Sequence, residues 1–161
     1  MREKMMAWML DCDVLPVKGR LLEQCFDRLM YRIGGENVTG DSWHRDEAKN
    51  AKPNDDIFGG WVNLNDYSHY FSCVPYSHRE AGKQNSGFAK ITDSAEKLGL
   101  EKQKVIVEIP SGCCLVFYER LVHEVRKSAF PMGNTMIRMF LGWRVTDDEF
   151  PICGPEKTST W

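Results

Sequence analysis

The chain has 161 residues, which is room for one domain of ordinary size and not for two. It is 42% hydrophobic and 27% charged, a composition that excludes wholesale disorder. Its 21 Lys+Arg against 23 Asp+Glu give a formal charge of −2, so no basic field exists to hold a nucleic acid backbone.

The first apolar run, residues 5–10, ends at Asp11. It is too short to span a membrane and lacks the profile of a secretory signal. The expectation is a soluble, intracellular protein, cytoplasmic by default, with no membrane span and no nucleic acid partner. Six cysteines (Cys12, Cys25, Cys73, Cys113, Cys114, Cys153) form no CxxC pair. They read as reduced, mostly buried thiols, and not as disulfides or a structural zinc site.

Residues 20–33 place apolar side chains at Leu21, Leu22, Cys25, Phe26, Leu29, Met30 and Ile33. That spacing predicts an amphipathic helix stopped by Gly34-Gly35, although residues 29–33 also alternate well enough for a strand. Beyond Gly40 the signals turn to β. Strands are predicted at 57–64, 70–74, 104–109, 113–118 and 135–145, bounded by Asn65-Asp66, Pro110-Ser111-Gly112, Gly133-Asn134 and Asp147-Asp148. Residues 77–100 read as a surface excursion, or a short helix after Thr92. Short, evenly spaced strands point to a sandwich or barrel behind a small N-terminal helical element.

The histidines are His44, His69, His78 and His123. On a strand, residues i and i+2 share a face, so His44 and Asp46 project side by side toward one ion. A second histidine from a distant strand completes a 2-His-1-carboxylate set, the arrangement of non-haem Fe(II) oxygenases. His123, delivered by the strand and turn of residues 113–122, is the best third ligand. Arg138 lies in the apolar strand Met136-Ile137-Arg138-Met139-Phe140-Leu141 and needs an anion there, because an unpaired buried charge is very costly. A dicarboxylate co-substrate suits its planar fork. Arg144 is the alternative clamp. Trp43, Trp61, Phe71 and Phe117 are candidates for a dry wall around the site.

Across residues 41–145 the chain resembles the phytanoyl-CoA dioxygenase-like branch of Fe(II)/2-oxoglutarate oxygenases. Trp43-His44-Arg45-Asp46 looks like that family's W-H-x-D, and residues 60–66 are similar to its following apolar strand. Phe71 through Arg79 resembles its V-P-G-S-H-R signature, with Tyr76 where the family carries glycine. Ser111-Gly112 through His123 and Asn134 through Arg138 are similar to its "G-D-x-x-x-F … H" and "N … R" segments, with Cys113 in place of the aspartate. The likeness implies a mostly-β, double-stranded β-helix (jelly-roll, cupin-like) core at residues 41–147. An N-terminal helical element at 1–40 precedes it and a tail at 148–161 follows.

The same likeness implies Fe(II) on His44, Asp46 and His123, 2-oxoglutarate on Arg138, and hydroxylation of a C–H bond in an unidentified substrate. A second class stands beside it: a non-catalytic jelly roll serving as a structural or binding subunit of an assembly. His44-Arg45-Asp46 also spells a kinase catalytic-loop tripeptide. No Gly-rich loop, partner lysine or D-F-G accompanies it, and residues 34–40 lack the ending of a phosphate loop. His78 reads as stabilising a turn, and His69 as a surface or strand-end residue.

Overall fold

Strands rich in β-branched and aromatic residues pair into two antiparallel sheets, one of four strands and one of five, in a computed structural model that describes residues 2–11, 20–33, 43–46, 56–79, 88–124 and 135–146. The strands are β1 (Leu21–Ile33), β2 (His44–Asp46), β3 (Asp56–Asn63), β4 (His69–Cys73), β5 (Phe88–Lys90), β6 (Val105–Ile109), β7 (Cys114–Tyr118), β8 (His123–Glu124) and β9 (Thr135–Thr146). Two helices accompany them, α1 (Arg2–Asp11) and α2 (Ser94–Gln103). One sheet has the order β1-β9-β3-β7 and the other β5-β2-β8-β4-β6. The fold is a mostly-β jelly-roll sandwich, as the strand spacing predicts. Among the described residues, no helix is long and apolar enough to cross a membrane.

Apolar layers on three levels hold these elements together. Between the sheets pack Trp61, Phe71, Cys73, Ile109 and Phe117, with Leu115, Leu121 and Phe140 at their edge. The outer face of the four-stranded sheet buries Phe58, Val62, Leu141, Trp143 and Val145 beneath Met9 of α1. Each such side chain contributes about 1.5–3 kcal/mol when fully removed from water. The third layer, Trp43, Val74, Ile91 and Val122 with Leu100 of α2, lies outside the five-stranded sheet. Asp93 caps α2 by accepting from the Glu96 N–H at 2.7 Å. The helix expected after Thr92 is therefore present.

Residues 20–33 depart from the helix that their spacing predicts. They form β1, paired with β9 from Leu21↔Thr146 to Ile33↔Thr135, with a register shift between Gln24 and Phe26. A bulge there breaks the period of two, and a broken period of two imitates the spacing of a helix. Tertiary hydrogen bonding then decides, because β9 presents a long edge that β1 satisfies. The expected thiol burial needs correction as well. Cys73 is buried, but Cys113 and Cys114 at the β6–β7 turn are exposed. Residues 34–40, the tail at 148–161, and Cys12 and Cys153 lie outside the described residues.

Close strand approach makes one glycine indispensable. A Cβ on Gly60 would sit 2.3 Å from the Leu115 carbonyl oxygen, inside any allowed contact. Gly60→Ala is expected to lower stability by about 1–3 kcal/mol, read as an earlier urea midpoint. Gly99→Ala serves as the control. A Cβ there meets nothing within 4 Å, and the helical position gains up to about 1 kcal/mol.

Candidate metal centre

Three short segments converge inside the sandwich. Strand β2 lies between β5 and β8, and its register sets His44 directly opposite His123. His123 is also opposite Cys73 of β4, so both neighbours fix its position. Asp46 follows His44 by two residues and shares its face. Ligand-capable atoms of His44, Asp46 and His123 all lie within 4.8 Å of one another.

The two imidazoles turn the same ring atom toward the carboxylate. His44 Nε2 is 3.6 Å from Asp46 Oδ1, and His123 Nε2 is 3.4 Å from Asp46 Oδ2. The ring centroids stand 4.1 Å apart at 59°. His123 Nδ1 lies 2.9 Å from the Leu121 carbonyl oxygen, which can only accept, so Nδ1 carries the proton and aims Nε2 at the shared point. Two imidazole nitrogens and one carboxylate make a donor set that fits a divalent transition metal. Both histidines are buried, whereas the Asp46 side chain is 38% exposed, so the centre opens on the carboxylate side. Burial on its own raises the Asp46 pKa. The hydrogen bond to His123 and the charges of His123, His44 and Arg28 outweigh it and hold the carboxyl below its ordinary range.

Aromatic rings wall the centre on its inner side. Phe71 and Phe117 lie 5.3 and 5.0 Å from the His123 ring and 4.8 Å from each other. Trp61 stands further along, under Arg138. Trp43 does not join this wall. It packs on the outer face against Val74, Ile91 and Val122, and its Nε1–H donates to Glu101 at 3.1 Å.

Arg138 is buried in the same space between the sheets, with its Cζ 3.7 Å from the Trp61 ring centroid. Its Nε–H donates to His69 Nδ1 at 3.1 Å, and His69 Nε2–H in turn donates to Asn65 Oδ1 at 3.0 Å. Asn65 is itself fixed by the Ile137 N–H and the Thr135 carbonyl, both at 2.7 Å. Burial, and then the nearby charge of Arg32, lower the Arg138 pKa to about 9, which leaves it cationic at neutral pH. Arg144, the alternative clamp, sits further along β9 opposite Ile57.

His69 begins β4, as a strand-end residue should, but it is wholly buried and not at the surface. Its partnership with Arg138 across 69 positions left no local trace in the sequence. Ser77 is a second residue that sequence reasoning passed over. Its hydroxyl accepts the Val122 N–H at 2.8 Å and donates to the Val74 carbonyl at 2.7 Å, tying the turn after β4 to the residue beside His123. His78 stacks on Tyr118 at 4.7 Å and takes no part in the triad, in keeping with a turn role. Tyr76 has φ 64°, the left-handed conformation that glycine adopts most easily, and it occupies the glycine position of the resembled signature.

No family model matches the chain, and no curated protein matches it. Among solved structures it is similar to AviO1 from Streptomyces viridochromogenes Tue57, with TM-score 0.51 and 19% identity over 83% of this chain and 54% of that one. It is also similar to EvdMO1, with TM-score 0.54 and 20% identity over 76% of this chain and 27% of that one. These likenesses establish the shared fold. The chain spans about half the length of the first and about a quarter of the second.

Burial first, then the charge of Arg138, lower the His69 pKa from 6.5 to about 4. Between those values the unfolded chain binds a proton that the folded chain refuses. The stability supplied by neutral His69 is therefore full above pH 6.5 and is lost as pH falls toward 4. The loss is expected to be on the order of 3 kcal/mol. His69→Asn keeps an acceptor near the Nδ1 position but cannot titrate, so the difference in urea stability between pH 7 and pH 4.5 should shrink by about 2 kcal/mol, the part of that loss falling in this window.

Proposed function

We propose that the chain is the jelly-roll core of an Fe(II)- and 2-oxoglutarate-dependent oxygenase of the phytanoyl-CoA dioxygenase-like kind. The supporting observation is one inter-sheet space that contains a two-histidine, one-carboxylate triad and a buried, cationic arginine. When bound, iron would supply the redox chemistry by which O2, 2-oxoglutarate and a substrate C–H give succinate, CO2 and the corresponding C–OH.

In this reading the chain's own residues divide the work by position. His44, Asp46 and His123 hold the ion on one side and leave the opposite side free for reactants. Arg138 binds the distal carboxylate of 2-oxoglutarate through its planar fork. His69 and Trp61 fix the plane of that fork, with an acceptor on Nε and a ring beneath Cζ, so its terminal N–H groups are the ones offered to the carboxylate. Phe71 and Phe117 keep water from the inner side of the histidines.

Anaerobic titration with Fe(II) and then 2-oxoglutarate tests this assignment through the visible charge-transfer absorption of the chelate. Folded wild-type protein should develop the band, and Asp46→Ala should not bind iron. Arg138→Ala should retain iron but bind 2-oxoglutarate about 10–100-fold more weakly, the loss expected for a charge-assisted pair. A folded wild-type protein without the band favours the non-catalytic jelly roll.

A further inference from the structure

Three arginines stand on one face of the β1–β9 pair, and the function proposed above uses one of them. The β1–β9 register sets Arg28 opposite Phe140, Met30 opposite Arg138, and Arg32 opposite Met136. Directly opposed residues share a face, so Arg28 and Arg32 stand on the inner face of β1, diagonal to Arg138 on either side. Arg28 is exposed, its Cζ lies 5.2 Å from the Phe140 ring centroid, and its charge reaches Asp46. Arg32 is half-buried, and its pKa is lowered by burial and by Arg28.

Such a file of like charges repels itself and calls for a counter-charge. Arg20, near one end of the same sheet, has one in Asp56 at 2.6 Å. Among the described residues, neither Arg28 nor Arg32 forms an ion pair with a carboxylate. Within the proposed function, a dication and Arg138 together balance Asp46 and the dianionic co-substrate. Among the described residues, Arg28 and Arg32 then remain without a counter-charge, and the charge of Arg28 reaches Asp46.

We propose that Arg28 and Arg32 form an anion-recognition strip on the inner face of β1, and that the molecule oxidised at the metal centre carries a carboxylate or phosphate group bound by these two guanidiniums beside Asp46. The inference rests on the oxygenase reading for its chemistry, but the strip itself is a binding site and can be tested without turnover. Planar, bidentate guanidinium forks suit either oxyanion, whereas a neutral sugar or hydrocarbon would leave the half-buried Arg32 without a counter-charge and add nothing to the exposed Arg28.

The test is calorimetry on the full chain with Mn(II) and saturating 2-oxoglutarate, titrated with inorganic phosphate and, separately, with benzoate. At least one probe should bind. Affinity should fall about tenfold in Arg28→Gln or Arg32→Gln and further in the double variant, as expected for lost charge-assisted hydrogen bonds. The double variant should still bind 2-oxoglutarate within about twofold of wild type, which also reports that it is folded. Tighter phosphate binding assigns a phosphate ester, and tighter benzoate binding a carboxylate.

Equal binding to wild type and double variant, or binding of neither probe to wild type, overturns the strip. Competition of the probe with 2-oxoglutarate, lost in Arg138→Ala, also overturns it by placing all three arginines in the co-substrate pocket. If 2-oxoglutarate fails to bind but a probe still binds through Arg28 and Arg32, the oxygenase reading falls and the strip stands.

Discussion

Strand β2 is three residues long, and its hydrogen bonding to β5 and β8 carries the whole site. The register sets His44 against His123, and the period of two brings Asp46 onto the same face. A slip of one residue would turn Arg45 inward and both candidate ligands outward. The turn after β4 guards against that slip from the other side. Ser77 accepts from Val122, while the Val122 carbonyl receives the Val74 N–H at 2.9 Å, so β8 is clamped just before its histidine. Two strands that are too short to be stable alone are thereby held at one register.

The interior is arranged as two electrostatic regions joined by aromatic rings. At one end, a carboxylate and two imidazoles gather around a point open toward solvent. Further along, Arg138 lies over Trp61 and donates to a neutral histidine. A buried guanidinium is costly unless it is paired, and a neutral imidazole offsets only part of that cost. In the proposed function, the terminal N–H groups of the fork are the strong donors that a carboxylate would meet. Phe71 and Phe117 fill the space near the triad and strengthen every charge interaction by excluding water.

Much of this was legible because it depends on local periods. Turn residues marked the ends of β3, β4, β6 and β7, and the i, i+2 placement of His44 and Asp46 on one face follows from strand geometry alone. The anomaly at Tyr76 was visible as a tyrosine at a glycine position, and its φ of 64° gives the physical meaning. Reading failed where a local pattern had two solutions. The bulge in β1 gives a strand the spacing of a helix, and only the pairing with β9 sets Arg28 and Arg32 on the same face as Arg138. Trp43, adjacent to a candidate ligand, could be read as wall or as ordinary core, and alternation along the strand sends it to the opposite face, into the core under α2.

What the sequence determined by itself is the set of chemically capable residues and the β character of the segments that carry them, since both follow from residue type and spacing over a few positions. Which of those residues meet was decided only by tertiary structure. The contacts between His44 and His123, between Arg138 and His69, and across β1 and β9 join residues dozens of positions apart in the chain. Their formation depends on strand register and sheet order, which are fixed by long-range hydrogen bonds and the packing of apolar layers, and no local period encodes them.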